Sequence, residues 1–206
     1  MALVDQWTCK SGTKLNLYDI HIGSQIYDEK GIKYSARELE LLSVQKVIED
    51  CYTGSILSKD EFGKPFLVPQ NSEINYSHTS KRLLWGEHPT LRVGVDIETL
   101  RPQLSKIKHK FCREDELSFI PTQEELPYLL AIWSAKESIY KAYGKKEVDF
   151  KEHMQIEKFK LENEGFFEAN FLLVSNFRMV INYRWTGEYM ITWTTWQSMN
   201  ENPFIS

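Results

Sequence analysis

The stretch Leu91-Arg92-Val93-Gly94-Val95-Asp96-Ile97-Glu98 alternates apolar and polar side chains, and this alternation predicts a β-strand. The two valines and the isoleucine share one face, so Asp96 and Glu98 point together from the other, with Cα atoms roughly 6–7 Å apart. Like charges this close repel each other unless a cation or a basic group lies between them. Such oxygen ligands suit Mg²⁺ or Mn²⁺, and Gly94 is expected to clear space beside them. The pattern also fits an exposed edge strand, and G-x-D-x-E arises by chance about once in 8,000 positions.

A second stretch, Trp133-Ser134-Ala135-Lys136-Glu137-Ser138-Ile139-Tyr140-Lys141, belongs to a predicted helix that starts near Pro127 and stops at Gly144. Glu137 shares a face with Trp133 and Lys141, so its carboxylate should be drawn towards the interior. A buried carboxylate needs a partner, and a metal ion is a suitable one. Lys136 and Lys141 flank Glu137 and could reach phosphate oxygens. Alternatively, Glu137 and Lys141 form a plain surface pair, worth only about 0.3–0.5 kcal/mol.

The composition of the whole chain is that of a globular protein. It has 206 residues, of which 42% are hydrophobic, and a net charge of −4. Nucleic acid and anionic membrane are therefore poor candidates for the main partner. Three scattered cysteines indicate a reducing compartment, and the N-terminus lacks the features of a signal peptide. The longest apolar run, Leu129–Trp133, is too short to span a bilayer, so we expect a cytoplasmic protein.

The remaining pattern predicts alternating helices and strands. Ser35 and Glu38 form a capping box that should open a helix ending near Cys51. A charged helix is predicted over residues 106–119, and a turn over residues 62–65. Strands are predicted over residues 13–22, 74–78, 83–85, 168–174, 177–183 and 189–196. Each half contains a helix and several strands, so two α+β lobes of similar size are expected, residues 1–95 and residues 96–206.

Four motifs in this order resemble those of the 4′-phosphopantetheinyl transferases of the long, surfactin-synthetase-activating (Sfp) type. They cover about residues 62–144 and lie at Phe62-Gly63-Lys64-Pro65, Asn75-Tyr76-Ser77-His78-Thr79, Gly94–Glu98 and Trp133–Lys141. The resemblance implies Mg²⁺-dependent transfer of phosphopantetheine from coenzyme A to a serine of an apo acyl or peptidyl carrier protein, in fatty-acid or secondary-metabolite biosynthesis. Adenosine 3′,5′-bisphosphate would be released.

The resemblance also implies roles for individual residues. Asp96, Glu98 and Glu137 would hold Mg²⁺, with Mn²⁺ as an alternative. Glu137, or a water on the metal, would take the serine proton, and Lys136 and Lys141 would balance charge on the departing bisphosphate.

Coenzyme A binding is implied for a second group of residues, in addition to the two lysines just named. His78 would lie near the 3′-phosphate, Ser77 and Thr79 would add hydroxyl or backbone donors to the same phosphate, and Lys64 would line the nucleotide. From the residues alone, a single strand histidine is more often structural, and a lysine before proline is usually solvated. The alternative for Asn75 is that it braces its turn. Many family members carry arginines near the first helix, where this chain has only Arg37 and Lys46, with Gln45 at a position where arginine is common. Lys81 and Arg82 are the candidates to compensate.

One dense basic run follows the strand carboxylates. It contains Lys106, Lys108, Lys110 and Arg113, and the family places its carrier contacts around this region. Basic side chains there would steer an acidic carrier towards the site. The alternative is a solvated helix face, because three acidic residues follow at 114–116.

The family's long members fold as two α+β lobes related by a pseudo-twofold axis, with coenzyme A in the cleft between them. The length of this chain favours that class and a monomer. The alternatives are a non-catalytic module that binds coenzyme A and docks carriers, and a metal-dependent phosphoesterase.

Overall fold

The computed structural model describes residues 1–20, 31, 34–70, 72–173 and 177–196. The fold is α+β, as predicted, with one sheet of six strands and one of five. All pairs of neighbouring strands in both sheets are antiparallel. Within the described ranges, no helix combines the length and apolarity needed to cross a membrane.

The N-terminal lobe contains the six-stranded sheet and one long helix. Its elements are β1 (Ala2–Thr8), β2 (Lys14–Asp19), α1 (Ala36–Cys51), β3 (Ile56–Lys59), β4 (Pro65–Val68), β5 (Glu73–His78) and β6 (Arg82–His88). The strand order is β1-β2-β6-β5-β4-β3. One side of this sheet packs on α1 through a core that includes Val44, Val47 and Trp85.

The C-terminal lobe contains the five-stranded sheet and most of the helices. Its strands are β7 (Arg92–Thr99), β8 (Met154–Ile156), β9 (Glu164–Phe171), β10 (Phe177–Trp185) and β11 (Tyr189–Trp196), in the order β7-β11-β10-β9-β8. Its α-helices are α2 (Gln103–Ile107), α3 (Glu114–Ser118), α4 (Glu125–Tyr143) and α5 (Phe150–His153), and 3₁₀ turns cover Lys108–Lys110 and Thr122–Glu124.

The two lobes repeat one topology. In each, a first strand leads to a long helix, and four further strands form a meander whose last strand pairs with the first. This describes β2-α1-β3-β4-β5-β6 and β7-α4-β8-β9-β10-β11, and β1 is an addition at the edge of the N-terminal sheet. The repeat is not apparent in the sequence, since the same topology is built from different residues.

Strand β7 lies where the lobes meet. Its apolar face, Val93, Val95 and Ile97, packs in a shared core with residues of β2, β6 and β11. Gly86 of β6 allows this approach, because a Cβ there would lie 2.4 Å from a methyl group of Val95. The chain passes from one sheet to the other between β6 and β7, so the predicted boundary at residues 95/96 falls inside a strand.

Several sequence predictions are confirmed. Ser35 caps α1 with the full capping box, and Gly144 ends α4 with φ 70°. The predicted strands match β2, β5, β6, β7, β9, β10 and β11, although residues 21, 22 and 174 of the predicted spans lie outside the described residues. The continuous helix predicted over residues 106–119 is wrong. This segment forms the end of α2, a 3₁₀ turn and α3, and Arg113 is extended because it precedes α3 as its N-cap.

Candidate active site

Asp96 is the centre of a hydrogen-bond network between the lobes. It lies on β7 and its side chain is almost fully buried. Its Oδ1 accepts hydrogen bonds from Ser77 of the N-terminal lobe (2.8 Å) and from the Lys141 ammonium of α4 (2.8 Å), and its Oδ2 accepts one from Ser134 (2.8 Å). Lys141 also donates to the Ser77 hydroxyl at 3.0 Å. One buried carboxylate therefore ties together β5, β7 and α4.

Glu98 points from the same face of β7, two residues along the strand. Its Oε1 accepts the indole N–H of Trp133 at 3.0 Å and the guanidinium of Arg101 at 2.6 Å. Burial and the nearby charge of Asp96 nevertheless raise the pKa of Glu98. The two strand carboxylates are close enough to repel each other, as the alternation of the sequence predicts.

Glu137 is the third carboxylate of the site. Burial raises the pKa of Glu137 to about 7, with the charges of Asp96 and Glu98 acting in the same direction and Lys141 opposing them. Among the described residues, nothing forms a hydrogen bond with its side chain. Glu137 thus combines partial burial, two acidic neighbours and free oxygen lone pairs, and these conditions favour binding of a cation or a proton.

The donor set of these carboxylates fits a hard divalent cation. All three supply oxygen atoms, and a cation among them would offset the burial and the mutual repulsion that raise the pKa of Glu98 and Glu137. Here the Lys141 ammonium neutralises Asp96. Across the described part of the chain, no three His, Cys, Asp or Glu side chains are arranged as a set that could hold a metal ion. Gathering the three carboxylates around an ion therefore requires side-chain rearrangement.

Gly94 has a different role from the one predicted. A Cβ at this position would lie 1.9 Å from the Ser138 carbonyl oxygen and 2.5 Å from the Ala142 nitrogen. The glycine therefore lets the backbone of α4 lie directly on β7, instead of clearing space for an ion. Ser134 and Ser138 further fix α4 to the sheet through Thr192 of β11.

Lys136 does not line the cleft or contact the three carboxylates in this structure, so its position does not support the predicted contact with phosphate. Its side chain is 0% exposed and forms an ion pair with Glu116. The helical rotation of about 100° per residue explains the difference, because it turns Lys136 away from the direction of Glu137. Of the two lysines that flank Glu137 in sequence, Lys141 is the one that faces the site.

A cleft of about 200 Å³ lies beside Lys141, between the lobes. Four lysines line it: Lys59, Lys64, Lys141 and Lys145. Glu40 is the one acidic side chain among its lining residues. The sequence analysis missed Lys59 and Lys145, which are exposed residues at the end of β3 and just after α4. Neither belongs to a periodic pattern, although Lys145 follows the glycine that ends α4.

The predicted coenzyme A residues are distributed unevenly around this cleft. Lys64 lines the cleft and forms an ion pair with Glu73, and burial lowers the pKa of Lys64. His78 lies 3.3 Å from a carboxylate oxygen of Glu40. The Ser77 hydroxyl is directed into the carboxylate network.

Two further residues of the motif at residues 75–79, Thr79 and Asn75, accept hydrogen bonds from backbone N–H groups. The Thr79 hydroxyl accepts hydrogen bonds from the backbone N–H groups of Lys81 and Arg82, so it stabilises the turn between β5 and β6. Asn75 accepts the N–H of Val95 at 3.4 Å and braces β7, instead of its own turn.

The basic side chains near the first helix, and the two considered as substitutes for the family's arginines, have acidic partners. Arg37 pairs with Glu40, Lys46 with Asp50 and Arg82 with Asp19. Lys81 approaches Glu188 at 4.0 Å. Gln45 hydrogen-bonds Glu49.

The basic run of residues 106–113 lies along the surface between α2 and α3. Lys106 and Lys110 are exposed and have no ion pair with any described residue. Lys108 pairs with Glu125, and Arg113 lies 3.3 Å from Asp115. Two of the four cations are therefore free to meet an acidic partner.

The sequence is similar to a known protein family and to a named bacterial protein. The family model described as the 4′-phosphopantetheinyl transferase superfamily matches residues 92–194. A Bacillus subtilis protein named 4′-phosphopantetheinyl transferase ffp is 33% identical over 93 residues. That alignment covers 43% of this chain and 41% of the relative.

Proposed function

Because this chain belongs to the 4′-phosphopantetheinyl transferase superfamily, we propose that it transfers the 4′-phosphopantetheine group of coenzyme A to a serine of an apo acyl or peptidyl carrier protein. The observation that carries the proposal is the contact of Lys141 with Asp96 and Ser77, made where α4 borders a lysine-lined cleft between the lobes. Such a site places carboxylates that could hold a divalent cation beside lysines that could bind the phosphate groups.

The cleft supplies the charge that a nucleotide needs. Coenzyme A carries three phosphate groups, and four lysines lie around the cleft. Lys64 and His78 are held by acidic partners, Glu73 and Glu40, which keep them oriented when no phosphate is bound. We place the nucleotide of coenzyme A along this wall, with its diphosphate towards Lys141.

A divalent cation would be held by Asp96, Glu98 and Glu137. When bound, it would neutralise the diphosphate and polarise the phosphorus under attack. Asp96 would exchange the ammonium of Lys141 for this cation, and that exchange would free Lys141 to meet phosphate oxygens. Mg²⁺ and Mn²⁺ both suit such carboxylate ligands.

The transfer itself breaks one bond and forms one. The carrier serine Oγ attacks the phosphorus that bears pantetheine, and the bond from that phosphorus to the bridging oxygen of the diphosphate breaks. Glu137, or a water on the metal, accepts the serine proton, and a role for Glu137 is supported by its oxygens, which have no hydrogen-bond partner among the described residues. Lys141 offsets the charge that develops on the departing adenosine 3′,5′-bisphosphate.

We further propose that the carrier docks on the basic run of residues 106–113. Lys106 and Lys110 supply the unpaired positive charge, and steering by such charges raises the association rate of an acidic partner. The two-lobed chain holds every proposed residue of the site, which supports the long class of the superfamily and a monomeric enzyme.

Intact-mass analysis of an apo carrier protein incubated with this chain, coenzyme A and Mg²⁺ tests the reaction. We expect the mass of the carrier to rise by one phosphopantetheine group, and the gain to disappear with EDTA. Glu137→Gln should slow transfer by about 100-fold or more, because it removes the base and one proposed ligand. Glu61→Gln, the same change at an exposed residue, is the matched control. Coenzyme A binding without any transfer to acyl or peptidyl carriers would favour the non-catalytic module.

Charge reversal tests the docking surface. Lys106→Glu with Lys110→Glu should raise the KM for carrier about tenfold at low salt and leave the KM for coenzyme A unchanged. The difference should shrink as salt is added. Lys158→Glu, at an exposed lysine elsewhere in the same lobe, is the control. An unchanged KM for carrier at low salt would refute docking at this surface.

A further inference from the structure

Lys136 contributes nothing to the cleft, yet all its hydrogen-bonding capacity is used. Its buried ammonium lies 2.7 Å from the carbonyl oxygen of Phe111, 2.8 Å from Glu116 Oε2, 3.0 Å from the carbonyl oxygen of Phe150 and 3.1 Å from that of Met154. These acceptors come from the end of the basic run, from α3, and from the first residues of α5 and β8. A single side chain of α4 thus gathers three separate segments.

Glu116 completes this arrangement from the opposite side. Its side chain is also 0% exposed. Besides the ammonium of Lys136, it accepts the backbone N–H of Arg113 (2.7 Å) and that of Ile156 (2.7 Å). Both charges are therefore compensated, as burial requires.

The basic run contacts this pair through its backbone. Residues 106–113 include the end of α2 and a 3₁₀ turn, and they pair with no strand. The pair binds the run on both sides of Cys112, through the carbonyl of Phe111 and the N–H of Arg113. Lys136 is adjacent in sequence to Glu137, so the same helical turn that carries the proposed base also fixes the basic run.

We propose that Lys136 and Glu116 are a positioning pair, which holds residues 106–113 against α4 and thereby sets where a docked carrier presents its serine to Glu137. This inference rests on the proposed transferase function. It assigns Lys136 an indirect role, in which the lysine acts through the backbone of the docking surface and touches neither substrate.

Hydrogen–deuterium exchange and steady-state kinetics on the full chain test the pair. The double variant Lys136→Met/Glu116→Gln removes both charges together, so no buried charge remains unpaired. The amide oxygen of the glutamine can accept the N–H of Arg113 or that of Ile156, which bind different oxygens of Glu116. We expect amide exchange to accelerate about tenfold or more in residues 107–116 and 150–156, and to stay unchanged in α1 and β5. The KM for carrier should rise about tenfold, while the KM for coenzyme A stays within about twofold.

The matched control is Lys160→Met/Glu162→Gln, which removes an exposed ion pair of the same lobe. It should alter neither exchange nor either KM. Should the double variant unfold, Glu116→Asp, which keeps both charges but draws the carboxylate back from Lys136 by one methylene group, decides the matter with the same two measurements.

Two results would overturn the proposal. One is a folded variant in which the basic run exchanges as slowly as in the wild type. The other is accelerated exchange with an unchanged KM for carrier, since the pair would then be a stability feature only. A wild type that binds coenzyme A but transfers nothing would refute the proposed function instead, and the exchange measurement separates the two failures.

Discussion

Replacing Glu137 by glutamine should stabilise the folded chain, and the gain should grow with pH. Burial, reinforced by Asp96 and Glu98, raises the pKa of Glu137 from 4.5 to about 7. The folded state therefore binds this proton more tightly than the unfolded state does. Stability is highest while Glu137 is protonated and is lost as the pH rises from about 4.5 through about 7.

The size of the effect follows from these two pKa values. Each factor of ten in proton affinity is worth about 1.4 kcal/mol. The raised pKa of Glu137 therefore lowers the free energy of unfolding by about 3 kcal/mol at pH 8 and by less than about 1 kcal/mol at pH 5, relative to the protonated side chain. Glutamine has a similar shape and no charge, so it removes this cost. A stabilised variant with little activity is the trade-off expected of a catalytic group.

Urea unfolding in EDTA, from pH 5 to pH 8, measures the difference between wild type and Glu137→Gln. The free energy of unfolding of the variant should exceed that of the wild type by a margin that widens by about 2 kcal/mol over this range. Glu61→Gln, at an exposed residue, should show no such widening. A margin that does not change with pH, or a variant less stable at pH 8, would show that Glu137 is not held at a raised pKa.

Three other perturbations test separate parts of the structure. Mg²⁺ at pH 8 should raise the thermal midpoint of the wild type but not that of Glu137→Gln, because only the wild type keeps three carboxylates; equal shifts would place the ion elsewhere. Gly94→Ala should lower the free energy of unfolding in urea by about 3 kcal/mol or more, because its Cβ would lie 1.9 Å from a carbonyl oxygen of α4. A urea midpoint close to that of the wild type would contradict that packing. Glu40→Gln should lower the KM for coenzyme A at least ~3-fold at low salt, because it removes the negative charge beside His78. A higher KM would show that Glu40 is needed to orient the histidine.

Local patterns in the sequence were sufficient for several elements. Alternation identified β7, the capping box identified α1, and Gly144 marked the end of α4. The strands β1, β3, β4 and β8 were not predicted. Two of them, β3 and β4, have only four residues each and β8 has three, so they hold too few residues for a periodic signal.

The charged segment 106–119 shows why composition misled the helix prediction. A run of charged residues fits a solvated helix face, but Phe111, Cys112 and Glu116 are buried in the C-terminal lobe. Burial of these side chains and the extended backbone of Arg113 divide the segment into short pieces. Tertiary packing here overrides local propensity.

The sequence by itself determined which residue types form the candidate site. The spacing of Asp96 and Glu98 on a strand, and of Glu137 and Lys141 on a helix, depends only on local periodicity, and that periodicity survives folding. The tertiary structure alone decided which side chains meet. It turned Lys136 into the core, directed Ser77 to Asp96, brought Lys59 and Lys145 to the cleft, and used Gly94 to seat α4 on β7. The physical reason is that a buried charge takes the partners that packing provides, and these lie far apart in the chain.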